Sequence, residues 1–122
     1  MGTRNSLQRQ LDAYDGKRRQ LTAQLSQLGY IWHGSLLRRR LTCGKLGCAC
    51  KRDPDALHGP YAYWTTKVAG KTVSRLLTPL EASLYEEWIN NRRALERAIA
   101  ELRSLSEKAA SILLKLRSPD EQ

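Results

Sequence analysis

The sequence predicts an α+β fold in which two helices flank a small three-stranded β module. Three observations predict it. Apolar residues recur at alternating steps of four and three near both ends of the 122-residue chain, the pattern of a helix seam. Between them, Tyr-, Trp- and Thr-rich arms flank a turn, which suits a pleated, half-buried surface. Just before those arms all three cysteines of the chain lie within eight residues, and a histidine follows. The divisions that result are an amphipathic helix over 1–29, a basic β module over 30–77, a long helix over 78–118 and an acidic tail over 119–122.

The first helix is expected over 5–28, with Leu7, Leu11, Tyr14, Arg18, Leu21, Leu25 and Leu28 on its seam. Gly16 inside this run costs about 1 kcal/mol relative to Ala and is expected to weaken or bend it. Gly29 is placed to end it as a left-handed cap. The cluster Lys17-Arg18-Arg19 reads as a solvated face.

A strand over 35–42 is expected next, with a helical turn before it as an alternative to irregular chain. Alternation puts Leu37, Arg39 and Leu41 on one face and Leu36, Arg38 and Arg40 on the other, so that Arg38 and Arg40 project together. A hairpin follows, with arms over 61–67 and 71–77 and its turn at Val68-Ala69-Gly70-Lys71. Tyr61, Tyr63, Thr65 and Lys67 share one face of the first arm, opposite Ala62, Trp64 and Thr66.

The long helix opens on three agreeing signals. Thr78 is an N-cap, Pro79 occupies the first helical position and Glu81 completes a capping box. Leu84, Trp88, Asn91, Leu95, Ala98, Leu102, Leu105, Ala109, Ile112 and Leu116 continue the four-three pattern. A helix of some 38 residues is near 57 Å long at about 1.5 Å per residue, so its seam calls for cover. The first helix is expected to supply much of that in an antiparallel coiled coil, and a second copy or a larger protein partner the rest. Leu84, Trp88, Leu95, Leu102, Leu105 and Ile112 are the expected interface, with Asn91 setting register.

Cys43, Cys48, Cys50 and His58 form the ligand set of a closed structural zinc site, since soft thiolates and an imidazole suit a tetrahedral d¹⁰ ion. His33 competes with His58 for the fourth position. The loop through Asp53-Pro54-Asp55 favours His58, because it can carry the chain back to the ion. Gly44 and Gly47 are expected to supply the positive φ of a turn between ligands. Three cysteines cannot all pair within one chain, and no hydrophobic signal segment opens the sequence, so a disulfide framework is not expected. A reducing, cytoplasmic compartment is. A redox-sensing thiol is the rival reading, because Lys45, Lys51 and Arg52 would lower a cysteine pKa. A closed site leaves no position for a reactive water, and no enzymatic activity is expected.

The net charge of +9 is unevenly spread. Residues 30–77 carry nine basic and two acidic groups, net +7, whereas residues 78–122 carry seven basic and eight acidic ones. Such a concentrated excess is the footprint of a polyanion binder, DNA or RNA. Arg38, Arg39, Arg40, Lys45, Lys51, Arg52, Lys67, Lys71 and Arg75 are the expected phosphate contacts, with Tyr61, Tyr63 or Trp64 as stacking groups. No run of about 18 apolar residues occurs, so no membrane span is expected.

The combination Cys43-Gly44-Lys45-x-Gly47-Cys48-x-Cys50, His58-Gly59-Pro60-Tyr61-x-Tyr63-Trp64 and Gly70-Lys71-x-x-x-Arg75 resembles a family of small prokaryotic proteins built on a domain of unknown function, over roughly residues 31–95. The resemblance implies a zinc-motif hairpin module with a trailing helix and an association with mobile genetic elements; it carries no activity. The hairpin is also similar to the small sheets with which recombinases and transposases touch DNA. Two functional expectations follow. The first is a zinc-stabilised, non-enzymatic nucleic-acid-binding accessory protein of a mobile element. The second is a helical adaptor for a larger nuclease or transposase.

Overall fold

The structure, a computed structural model, describes residues 2–118. The chain forms two compact units, one comprising α1 and α2 from residue 93 onward, the other Gly29–Arg92. The acidic tail expected over 119–122 lies outside the described residues.

In the first unit α1 spans Gly2–Ser26, and α2, which begins in the other unit, spans Pro79–Arg117. Leu21, Ala98 and Ile112 are buried, while Leu11, Leu25, Leu95, Leu102, Leu105 and Leu116 are half-buried. The antiparallel arrangement is fixed at one end by Arg4, whose two guanidinium nitrogens donate to the Leu116 carbonyl at 3.1 and 3.0 Å. That carbonyl is one of the last four of α2, which have no partner within the helix, and a cation there also complements the helix dipole. The 25 residues of α1 match the length of α2 from residue 93 to Arg117.

One local expectation about α1, its cap at Gly29, is corrected. Helix α1 passes through Gly16 without a break, and Asp15 pairs there with Arg18 at 2.8 Å and Arg19 at 3.0 Å. The helix ends in a tight turn, with Gln27 N–H and Leu28 N–H donating three residues back. Gly29 has no positive φ. It lies in the other unit, where a Cβ would come within 3.1 Å of Asn91 Nδ2.

The second unit is a three-stranded antiparallel sheet in the order β1-β2-β3, with β1 Ser35–Leu41, β2 His58–Val68 and β3 Lys71–Leu77. One face is covered by the start of α2. Ala62, Leu77 and Ala82 form its buried centre, with Leu36, Trp64 and Tyr85 packed around them. Alternation explains which residues these are, since Leu36, Trp64 and Arg75 fall in one cross-strand row and Arg38, Ala62 and Leu77 in the next.

The capping box is present in both directions. Thr78 N–H donates to Glu81 Oε1 at 2.9 Å, and Glu81 N–H donates to Thr78 Oγ1 at 3.2 Å. The Thr78 N–H is the strongest influence holding the Glu81 carboxyl below its ordinary pKa, and the Arg75 guanidinium adds to it. A carboxylate with a depressed folded pKa contributes stability above its unfolded pKa and loses it as pH falls through the folded one. The Glu81 side-chain carboxyl, followed by carbon NMR, is accordingly expected to titrate below a glutamate in an unstructured peptide. A midpoint at or above the peptide value contradicts the pairing.

The hairpin turn is the two-residue kind that matches strand twist, with Ala69 at φ 51° and Gly70 at φ 80°. Alanine is strained at a left-handed position that asparagine tolerates. Ala69→Asn is expected to stabilise the protein by about 0.5–1 kcal/mol, read as a rise in melting temperature of a few degrees.

No helical turn precedes β1. Residues 29–34 instead run without regular secondary structure against α2 and β2, bend at Gly34, and are held by hydrogen bonds. Trp32 N–H donates to the Trp88 carbonyl at 3.2 Å, Asn91 Nδ2 to the Tyr30 carbonyl at 2.8 Å, Arg92 to the Gly34 carbonyl at 3.0 Å, and Trp64 Nε1 to the His33 carbonyl at 2.9 Å. Asn91 thus docks this segment rather than setting a helix register. Trp32 inserts among Trp64, Tyr85 and Trp88, with ring centroids 6.3, 6.1 and 6.4 Å away, so Trp88 belongs to this cluster and not to an open seam. Leu84 is 38% exposed, because in this part of α2 the covered face runs through Ala82, Tyr85 and Ile89, the last 2% exposed.

Candidate metal centre

The connection from β1 to β2 carries the four expected ligands. It turns at Gly47, whose φ is +81°, and then forms short 3₁₀ turns at Ala49–Lys51 and Pro54–Ala56. Gly44 has no positive φ, so only one of the two glycines serves the turn as expected. Asp53 accepts from Asp55 N–H at 3.0 Å, which folds the second 3₁₀ turn back toward β2. Arg40 donates to the Leu57 carbonyl at 2.9 Å and pins the residue just before His58.

The result is a cluster in which the ligand atoms of Cys43, Cys48, Cys50 and His58 all lie within 4.8 Å of one another. Cys43 Sγ and Cys50 Sγ are 3.7 Å apart, and Cys48 Sγ and His58 Nε2 are 3.5 Å apart. A tetrahedral ion with metal–sulfur bonds of about 2.3 Å and a metal–nitrogen bond of about 2.0–2.1 Å has edges of about 3.8 Å and about 3.5 Å. The two pairs therefore match the edges of such a site. A disulfide needs sulfur atoms about 2.05 Å apart, and the three cysteines are free.

The surroundings suit thiolate ligands. Cys43 N–H donates to Cys50 Sγ at 3.3 Å, and Lys51 Nζ donates to the Cys43 carbonyl. The Cys50 N–H beside it, together with the Cys50 and Cys43 thiols and Lys51, lowers the Cys48 thiol pKa. For Cys50 the Cys43 N–H favours the thiolate, yet burial and the neighbouring sulfurs outweigh it and push the thiol up. Sulfur atoms crowded in this way repel one another once ionised, and a bound cation removes that repulsion.

His33 is not part of this cluster. Its ring packs against Trp32 and Trp64, at centroid distances of 5.0 and 5.1 Å.

The expected phosphate contacts divide into two groups. Arg38 faces α2 and pairs with Glu86 at 3.3 Å, Arg40 is bound to Leu57, and Arg75 lies over the Tyr85 ring at 5.5 Å, donates to the Tyr85 hydroxyl and approaches Glu81 at 3.8 Å. The anticipated Arg38–Arg40 pair is thus engaged within the fold, and the register of β1 shifts between Arg39 and Leu41. Trp64 is taken up by the aromatic cluster on the helix-covered face. Arg39, Lys45, Arg52, Lys67 and Lys71 are exposed.

Arg39 stands on the open face of the sheet, directly opposite Tyr61. Leu37, Tyr63 and Leu76 form the next row on that face. Leu37 and Leu76 are 46% and 56% exposed, and Tyr61 is 39% exposed. Sequence reasoning missed the two leucines as surface groups, although the alternation that put Tyr61 and Tyr63 on one face contained the signal.

Among the described residues no helix is long and apolar enough to cross a membrane. No curated protein and no solved structure matches the chain. A family described as Domain of unknown function (DUF6788) matches residues 11–86, which takes in most of α1, the whole cysteine–histidine module and the start of α2, and the chain belongs to that family.

Proposed function

We propose that this chain is a zinc-stabilised, non-enzymatic nucleic-acid-binding protein. Zinc is the ion that three thiolates and one imidazole select by softness and geometry, and a closed set of four protein ligands serves structure. The single observation that carries the binding reading is the open sheet face. It presents Arg39 beside Tyr61, and Lys67 further along the same strand, in a module whose net charge is +7. A cytoplasmic accessory role in a mobile element fits the unpaired thiols and the basic module. Ile99, Leu113 and Leu114 of distal α2 remain 37%, 36% and 71% exposed, which supports a second copy or a protein partner on that helix.

The test is fluorescence anisotropy with labelled nucleic acid at rising salt. Neutralising about five to seven phosphates gives a slope of log affinity against log salt of about −5 to −6 on duplex DNA and about −3.5 to −5 on a single strand. A slope near zero on both contradicts the proposal. The adaptor reading for a larger enzyme draws on the elongated helical unit, and it predicts no binding of nucleic acid by the purified chain alone.

A further inference from the structure

From the same open face we infer that the nucleic acid is a single strand, laid along β2 with its bases stacked on Tyr61 and Tyr63. The inference rests on the proposed function and names its substrate.

The face has the wrong chemistry for a duplex backbone. Of the two rows between Tyr61 and Lys67, Leu37-Tyr63-Leu76 is apolar apart from one hydroxyl, with its leucines about half exposed, and Ser35-Thr65-Ser74 carries hydroxyls but no charge. Phosphates gain nothing from apolar side chains, and duplex base faces are buried in the stack. Three strands at about 4.8 Å spacing span about 10 Å before side chains are added, whereas a major groove about 12 Å wide admits a helix or a two-stranded ribbon. Unstacked bases of a single strand offer the flat, apolar surface that such a row is shaped to cover.

Position and charge agree. Tyr61 and Tyr63 are two residues apart on one strand, about 6.7 Å, which is the depth of two stacked bases at about 3.4 Å. Arg39 is opposite Tyr61 at one end of the row, and Lys67 lies six residues along β2 toward the turn, about 20 Å away. Neither makes an ion pair among the described residues, whereas Arg38 and Arg75, on the covered face, do. Between Arg39 and Lys67 the face passes from the apolar Leu37-Tyr63-Leu76 row to the hydroxyl-bearing Ser35-Thr65-Ser74 row, a length that matches roughly six nucleotides, with bases stacked on the tyrosines and hydroxyls facing the strand's polar groups beyond them.

The experiment compares a 10-nucleotide single strand with a 20-base-pair duplex of the same composition, using the zinc-loaded full chain and its Tyr61→Leu and Tyr63→Leu variants. Leucine keeps apolar volume and removes the ring. Metal content and melting temperature confirm that each variant is folded, and Tyr61, the more exposed, serves if Tyr63→Leu is unstable. The single strand is expected to bind more tightly than the duplex, and each variant to lose about five- to hundredfold affinity for it with little change in salt slope. Equal binding of both forms, unchanged by the tyrosine variants, overturns the single-strand inference and leaves nucleic-acid binding standing. Absence of binding to either form overturns both. A native mass of two chains that reverts to one in Leu37→Glu shows the face to be covered by a second copy, and overturns the inference as well.

Discussion

Replacing Cys50 by serine is expected to abolish metal retention and to unfold the β module. Protein purified without added metal should carry one zinc per chain by elemental analysis, and Cys50→Ser close to none. Cys50 is the one buried ligand, and it meets both the Cys43 thiol and the Cys43 backbone N–H. The size of the effect follows from how far the metal loop lies from the aromatic cluster of Trp32, Trp64, Tyr85 and Trp88, which packs the other end of the sheet and contacts none of the four ligands. The buried sheet–helix centre is Ala62, Leu77 and Ala82, which contributes few methylenes. Structural zinc in small modules contributes apparent binding energies of about 10–16 kcal/mol, far above the few kcal/mol that such a centre supplies. Strong chelation of the unaltered protein should therefore reproduce the variant. His33→Ala is the control, because His33 packs on Trp32 and Trp64, and it should keep its zinc. A Cys50→Ser protein with a full complement of metal and an unchanged melting temperature would remove the zinc centre from the account.

Gly34→Ala should be the most damaging substitution outside the metal ligands. At φ +86°, an added Cβ would lie 2.4 Å from Trp64 Nε1 and 2.5 Å from the Thr65 carbonyl oxygen. The second neighbour is backbone in the middle of a paired strand, so it cannot move aside without disturbing the sheet. Two hydrogen bonds converge at this point, Trp64 Nε1 to the His33 carbonyl and Arg92 to the Gly34 carbonyl, and both would be stretched or lost. Backbone strain, a clash with paired backbone and the loss of these part-exposed bonds together cost about 3 kcal/mol or more. The melting temperature should fall on the order of 10 °C, with the tryptophan emission shifted to the red as Trp32 and Trp64 gain water. Gly47→Ala calibrates the strain alone, since φ there is +81° with nothing within 4 Å of the added carbon, and should cost only about 1 kcal/mol. A Gly34→Ala protein no less stable than Gly47→Ala would show that the segment before β1 is not packed against Trp64.

Much of the fold was legible because its signals are local. The capping box at Thr78 and Glu81, the paired arms around Ala69-Gly70 and the spacing of the cysteines each act within a few residues. A bond between neighbours leaves the same trace in the sequence as in the structure. Other elements were misread where a distant group decided the outcome. Gly29 had the position of a helix cap, yet it is small because Asn91 passes close by. Asn91 had the position of a coiled-coil polar residue, yet it holds Tyr30. The heptad read through Leu84 and Trp88 described α2 correctly only from residue 93 onward, because before that its neighbour is a sheet rather than a helix.

The sequence by itself determined the three strands, the two helices and a soft ligand set with room for one ion. Alternation and spacing are properties of the chain, and they hold wherever it folds. Only the tertiary structure decided between His58 and His33, because aromatic packing claims His33 and the 3₁₀ turns return His58 to the thiols. The assignment of the basic residues was likewise a tertiary matter. Once α2 covers one face of the sheet, Arg38 and Arg75 meet Glu86, Glu81 and Tyr85, and Arg39 is left beside Tyr61 on the other. A strand has two equivalent faces until something packs on one of them, and that choice is made by residues far away in the chain.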